Sequence, residues 1–401
     1  MPCISGVGTE LVASKEESSV SMKRVLVVFG TRPEAIKMAP VVKELKKLNH
    51  LLQVDVCVTG QHRRMLDQVL NLFEIYPEHD LDVMKPGQDL FGITASVLTG
   101  MQNVIAEARP DLVLVHGDTT TTLAATLAAY YSKVPVGHVE AGLRTRDPYA
   151  PFPEEINRKV VGCIAAINFA PTEKAKHNLL AEGVPEDSVF VTGNTVIDSL
   201  FAVLDRLNTC PALAGELQRK FAFLDQEKKL VLVTGHRREN FGSGFRNLCL
   251  ALRDLAERHP DLEILYPVHL NPNVQEPVWD ILGEKLENVH LIDPVDYLPF
   301  VYLMNRAYLV ITDSGGIQEE APSLGKPVLV TREVTERPEA VAAGTVRLVG
   351  TERGEILKMA ELLVSEPAAY QAMARSHNPY GDGNAAQKIV SVIADRLVGD
   401  S

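Results

Sequence analysis

The 401-residue sequence predicts an α/β protein made of two parallel sheets in series, each covered by helices on both faces. Two observations carry that expectation. Short, continuously apolar runs alternate with longer amphipathic stretches through the first half, and the same alternation restarts after Lys228-Lys229. Strands that are apolar throughout, rather than at every second residue, are buried on both faces, and crossover helices join such strands in parallel. Almost every predicted strand also ends in glycine and polar residues, where an open parallel sheet keeps its ligands.

Lys23–Phe29 reads as the first strand. Pro33, at a first helical position, opens an amphipathic helix over 33–48 with Ile36, Ala39, Val42 and Leu45 on one stripe. Strands at 54–59, Leu112–His116, 134–139 and 189–192 follow, separated by helices such as 66–73, 94–108 and Glu173–Ala181. The second series has strands at 230–234, 262–266, Val289–Ile292, 308–311 and 328–331. Residues 22–193 are thus expected to form one domain and 194–383 a second, with the polar, helix-rich stretch 193–227 as connection. Asn378-Pro379-Tyr380-Gly381-Asp382-Gly383 breaks the chain before a last helix at 385–397, so that 384–401 is expected to cross back onto the first domain. Residues 1–21 hold Lys15-Glu16-Glu17-Ser18-Ser19 and no signal-peptide-like apolar stretch; they are expected to be a disordered extension of a cytoplasmic protein.

Composition narrows the partners. With 46% hydrophobic and 23% charged residues the chain can bury sizeable cores, and no run has the apolar length of a membrane span. A net charge of -12 argues against non-specific nucleic-acid binding, so an anionic ligand needs a local cationic cluster. Five scattered cysteines, without metal-type spacing, read as core thiols.

The strand ends supply that cluster. Thr312-Asp313-Ser314-Gly315-Gly316 turns an apolar strand into a helix whose first amides, at Ser314, Gly315 and Gly316, can receive a phosphate with Ser314 as cap, and Glu320 further along suits ribose hydroxyls. Arg32 and Lys37, about one turn apart, can face one phosphate or a carboxylate, and His236-Arg237-Arg238 holds the corresponding place in the second series. Asp118 is either a helix cap or a site carboxylate, Glu140 closes a buried strand, and the proline-stiffened loop 147–155 delivers Glu154 and Glu155 to a helix start. Asp118, Glu140 and Glu154 in one cleft would raise at least one pKa and supply a general acid and a base.

Together, Gly30-Thr31-Arg32-Pro33-Glu34-Ala35-Ile36-Lys37, His116-Gly117-Asp118-Thr119-Thr120-Thr121, His138-Val139-Glu140-Ala141-Gly142-Leu143-Arg144, Gly235-His236-Arg237-Arg238-Glu239-Asn240, Asp313 through Glu320, Thr335-Glu336-Arg337-Pro338-Glu339 and the closing Asn378 motif resemble the non-hydrolysing bacterial UDP-N-acetylglucosamine 2-epimerases. The resemblance covers nearly everything from Met22 onward. It implies two Rossmann-like domains of the glycosyltransferase-B type around an interdomain active site, and interconversion of UDP-N-acetylglucosamine and UDP-N-acetylmannosamine for surface polysaccharides. It also implies Asp118, Glu140, Glu154 and His236 as catalytic candidates, and Arg32, Lys37, Arg337, Ser314, Gly315, Gly316 and Glu320 as substrate-binding ones. Further implications are an activating UDP-N-acetylglucosamine at Gln61, His62, Arg238 and His269, a homodimer, and no nicotinamide or metal cofactor.

Overall fold

A computed structural model describes residues 22–60, 63–85, 87–283 and 286–399. The first half forms a seven-stranded sheet from β1 (Lys23–Phe29), β2 (Leu52–Val58), β3 (His79–Asp80), β4 (Leu112–His116), β5 (Val136–Val139), β6 (Ile167–Ala170) and β7 (Val189–Val191). The second half forms a six-stranded sheet from β8 (Lys229–Thr234), β9 (Leu262–Pro267), β10 (Val289–Ile292), β11 (Leu309–Thr312), β12 (Val328–Val330) and β13 (Val346–Leu348). Every pairing is parallel.

The strand orders are β3-β2-β1-β4-β5-β6-β7 and β10-β9-β8-β11-β12-β13, so each sheet reverses direction once, between β1 and β4 and between β8 and β11. Crossovers leave opposite faces of the sheet on either side of such a reversal, opening a crevice beyond the strands' carboxyl ends. The loops at 30–32 and 117–118, and at 235–238 and 313–316, lie at these two reversals. These are two Rossmann-like units.

The units share one core. Ile36 on the helix Arg32–Lys47, Val196 and Leu200 on Thr195–Thr209, Ile317 and Ala321 beyond β11, and Ile389 and Ile393 on the last helix, Ala385–Val398, belong to one buried cluster. Burying a side chain such as Ile389 contributes about 1.5–3 kcal/mol, so the last helix is held strongly against Arg32–Lys47. Its first turn borrows a cap: Asp198 accepts from the Ala386 amide at 2.8 Å and the Ala385 amide at 3.3 Å.

Three strands escaped the sequence reading, all of them short. β6 carries a buried Asn168 at its second position, which breaks the apolar run; β3 and β13 have only two and three residues. The helix expected at 94–108 starts earlier, at Leu90, because Asp89 accepts from the Gly92 amide at 2.8 Å. The four described cysteines divide: Cys57 and Cys249 are buried, whereas Cys163 and Cys210 are exposed and are not core thiols; Cys3 lies outside the described residues. Among the described residues, no helix is long and apolar enough to cross a membrane.

Candidate active site

The site begins with the helix start after β1. Thr31 caps Arg32–Lys47, and Glu34 answers in a reciprocal capping box, accepting from the amides of Thr31 at 2.8 Å and Gly30 at 3.1 Å. The other oxygen of Glu34 accepts from Thr119 Oγ1 at 2.7 Å and Thr122 Oγ1 at 3.2 Å, so one buried carboxylate joins the loops after β1 and β4. Burial raises its pKa against those hydrogen bonds. A side chain at Gly30 would meet Thr59 Oγ1 and Thr121 Oγ1 within 2.6 Å, so only glycine lets the loop pass. This frame directs Arg32 and Lys37 into a cavity of about 350 Å³ between the halves.

Facing them across the cavity are His236 from the end of β8, Ser314, Gly316 and Glu320 beyond β11, Tyr297, Phe300 and Arg337. The expected Ser314 cap is not formed: Gly316 holds the N-cap position of Ile317–Ser323 and no side chain caps it. Gly315 instead admits Arg337, whose guanidinium carbon lies 3.3 Å from where a Cβ would stand. Buried Asp313 accepts from the amides of His236 and Arg237, both at 2.9 Å, and thereby shapes the loop after β8. The His236 ring stays 44% exposed, with Nδ1 3.5 Å from Asp313 Oδ1; partial burial lowers its pKa against the pull of Asp313.

A chain of alternating charges lies alongside. Lys37 pairs with Glu140, Asn194 Nδ2 donates to Glu140 Oε2 and to Glu319 Oε2 at 2.8 Å each, and Arg337 Nε donates to Glu319 Oε1 at 2.7 Å. Glu140 adopts a left-handed backbone, φ 62°, an uncommon conformation for a residue with a side chain that its surroundings must enforce. Burial pushes its pKa up, but the charges of Lys37 and Arg337 prevail, and the carboxyl ends well below its ordinary range. Carboxylates sharing one cleft are expected to raise at least one pKa; at Glu140 the cation on it decides the opposite sign. His116, with Nε2 3.9 Å from Glu140, is fully buried and pushed down to about 3, so its imidazole is neutral.

The other two carboxylates stand apart. Asp118 pairs with Arg158, and its carbonyl accepts from Asn157 Nδ2 at 2.8 Å, both from the helix Glu154–Ile164. The cap of the helix after it is Thr119, so the capping alternative for Asp118 falls away. Glu154 begins that same helix with Oε2 buried and without a hydrogen-bond partner, while Glu155 holds the preceding loop by accepting from the amides of Thr145 and Arg146 at 3.0 Å. Among the described residues no hydrogen bond or ion pair links the carboxyl groups of Asp118, Glu140 and Glu154. Of the four residues expected to bind an activator, His269 stacks on His236 with ring centres 5.5 Å apart and Arg238 is exposed on the neighbouring turn. Gln61 and His62 lie outside the described residues.

Asn194, Glu319 and Tyr297 were not singled out from sequence. Gly193-Asn194-Thr195 has the same strand-end form as the other clusters and was legible as one more; Glu319 stood inside a recognised motif, overshadowed by Glu320.

Two Rossmann-like units enclosing a cationic cavity with buried carboxylates define an enzyme that handles an anionic, nucleotide-type ligand. The profile of the UDP-N-acetylglucosamine 2-epimerase family matches residues 43–394. A probable UDP-N-acetylglucosamine 2-epimerase from Ralstonia nicotianae is 62% identical over 93% of this chain and 99% of its own. The UDP-N-acetylglucosamine 2-epimerase of Escherichia coli K12 is 58% identical over 94% and 99%. The crystal structure of UDP-GlcNAc 2-epimerase from Neisseria meningitidis bound to UDP-GlcNAc superposes with a TM-score of 0.87 at 53% identity, covering 93% of this chain and all of that one. The chain belongs to the UDP-N-acetylglucosamine 2-epimerase family, and it is an isomerase.

Proposed function

We propose that the chain interconverts UDP-N-acetylglucosamine and UDP-N-acetylmannosamine by eliminating UDP to 2-acetamidoglucal and adding it back. Family membership supports the epimerisation, and the relative solved with UDP-GlcNAc supports the ligand. The observation that carries the chemical reading is the Lys37–Glu140 pair beside Arg337 in the cleft. C2 of the sugar has no neighbouring carbonyl, so direct deprotonation would leave an unstabilised carbanion. Elimination avoids it: the C2 proton passes to a base, the C1–O bond breaks with its electrons going to UDP, and a C1–C2 double bond forms. Re-addition reverses these steps, with a proton delivered to the opposite face of C2.

Glu140, kept ionised by Lys37, is free to accept the proton, although the same pairing weakens it as a base; Asp118 or Glu154 is the partner group on the other face. Arg32, Arg337 and His236, with the amides of Ser314, Gly315 and Gly316, oppose the charge that grows on the leaving diphosphate. Glu320 receives the ribose hydroxyls. UDP-N-acetylglucosamine bound at Arg238 and His269 acts as activator, the protein works as a homodimer, and its product feeds cell-surface polysaccharides. Incubating the purified protein with UDP-N-acetylglucosamine alone tests the reading by NMR. The mannosamine isomer should appear without free sugar. Release of N-acetylmannosamine would mean hydrolysis instead, and no conversion without an added acceptor would mean group transfer.

A further inference from the structure

We propose that Asn194 positions Glu140 for proton transfer by tying it, through a single amide, to the Glu319–Arg337 pair of the opposing unit. Asn194 is 2% exposed and follows β7 at the point where the chain leaves the first sheet. Its Nδ2 donates to Glu140 Oε2 and Glu319 Oε2, both at 2.8 Å, and its Oδ1 accepts from the Val196 amide at 3.1 Å. A carboxamide has two N–H donors and one carbonyl, and here all three functions are engaged. The reverse orientation would set the oxygen against two carboxylates, so the network admits one rotamer only. The Asn194 amide also donates to Tyr380 O at 2.8 Å, anchoring the residue to the segment that leads into the last helix.

The consequence is geometric. Glu140 sits between a cation of its own unit, Lys37, and a bridge to the residue that holds Arg337. Arg337 belongs to the diphosphate side of the cleft and Glu140 to the C2 side, so Asn194 fixes the distance between bond breaking and proton removal. Capping the helix Thr195–Thr209 requires only the oxygen, which leaves the two donors to be explained by the carboxylates.

The inference rests on the role given to Glu140 above. Asn194→Ser keeps an oxygen for the Val196 amide but removes both donors. Turnover and deuterium uptake at C2 from deuterated water should fall together by about 10², the effect of a misplaced reacting group, while affinity for UDP alone stays at the wild-type value and the melting temperature drops by no more than the loss of two buried hydrogen bonds accounts for. Wild-type turnover in Asn194→Ser would overturn the proposal by showing that the cap suffices. A loss of UDP affinity as large as the loss of turnover would also overturn it, as general damage. If Asn194→Ser does not fold, Asn194→Asp, which keeps the shape and the cap but sets a third carboxylate against Glu140 and Glu319, decides on the same two readouts. Failure of the wild-type protein to epimerise UDP-N-acetylglucosamine would instead strike the functional reading on which this rests.

Discussion

Tyr297 donates its hydroxyl to Glu320 Oε2 at 2.9 Å, and both side chains are buried in the wall of the cleft. Burial lifts the Glu320 carboxyl to about 7, against the Tyr297 hydroxyl, which pulls it down. If ribose hydroxyls donate to Glu320, they favour the ionised form, so nucleotide binding expels a proton wherever the free site is protonated. UDP affinity should therefore rise roughly tenfold between about pH 6 and about pH 8. Tyr297→Phe removes a donor to the carboxylate, raises the carboxyl further and should move the rise to higher pH. Calorimetric titration with UDP across that range measures both, and a Kd independent of pH would take Glu320 off the ribose.

The same residue makes a stability prediction. A carboxyl whose folded-state value, about 7, lies above its ordinary 4.5 contributes stability in full below that ordinary value and loses it as pH rises through the folded one. Glu320→Gln cannot ionise, so it should raise the melting temperature of the ligand-free protein at about pH 8 and leave it nearly unchanged near pH 4.5. Affinity for UDP should fall in the same variant. Melting curves at the two pH values check it, and equal shifts at both would exclude ionisation as the cause.

How far the sequence reaches is visible in these residues. β1, apolar and buried from Val25 to Phe29, and the fully buried β11 sit within one residue of where periodicity put them, because residues buried on both faces form an unbroken apolar run. β6 was missed because the polar Asn168 interrupts a strand of only four residues, too short for periodicity to show. Arg32, Lys37, His236, Ser314, Gly316, Glu320 and Arg337 were legible as strand-end and motif residues, and the two sheet reversals gather them around one cavity. The sign of the Glu140 shift was not legible. It depends on Lys37, 103 positions away, reaching that carboxylate rather than a phosphate. Nor was the bridge at Asn194, whose two partners lie 54 and 125 positions away.

The contact between His236 and His269 bears on activation. A ligand seated on His269 and Arg238 would touch the ring that faces the cleft, a direct route for coupling two sites. Rate against UDP-N-acetylglucosamine should be sigmoidal, and UDP-N-acetylmannosamine alone should react slowly until a trace of the gluco isomer is added. Arg238→Ala and His269→Ala should flatten the curve towards a hyperbola. A hyperbolic wild-type curve would remove the activator site and leave the catalytic assignment standing.

The carboxylates and the phosphate clamp separate by isotope. In deuterated water the product should carry deuterium at C2, because the proton returned comes from a group that exchanges with solvent. Glu140→Gln and Glu154→Gln keep size and hydrogen bonding but remove the base, so deuterium uptake and epimerisation should fall together by about 10² to 10⁴, the range for a positioned acid or base. Glu140→Gln also leaves Lys37 without its partner in a buried site, so its melting temperature should drop, whereas Glu154, whose Oε2 has no hydrogen-bond partner, can be replaced at less cost. Nucleotide binding should survive both changes. Arg32→Ala should instead weaken UDP affinity and turnover alike, since the charge it opposes grows as the sugar–phosphate bond breaks. Near-wild-type rates with normal deuterium uptake in both Gln variants would make these two carboxylates structural and pass the proton chemistry to Asp118, which pairs with Arg158, or to His236.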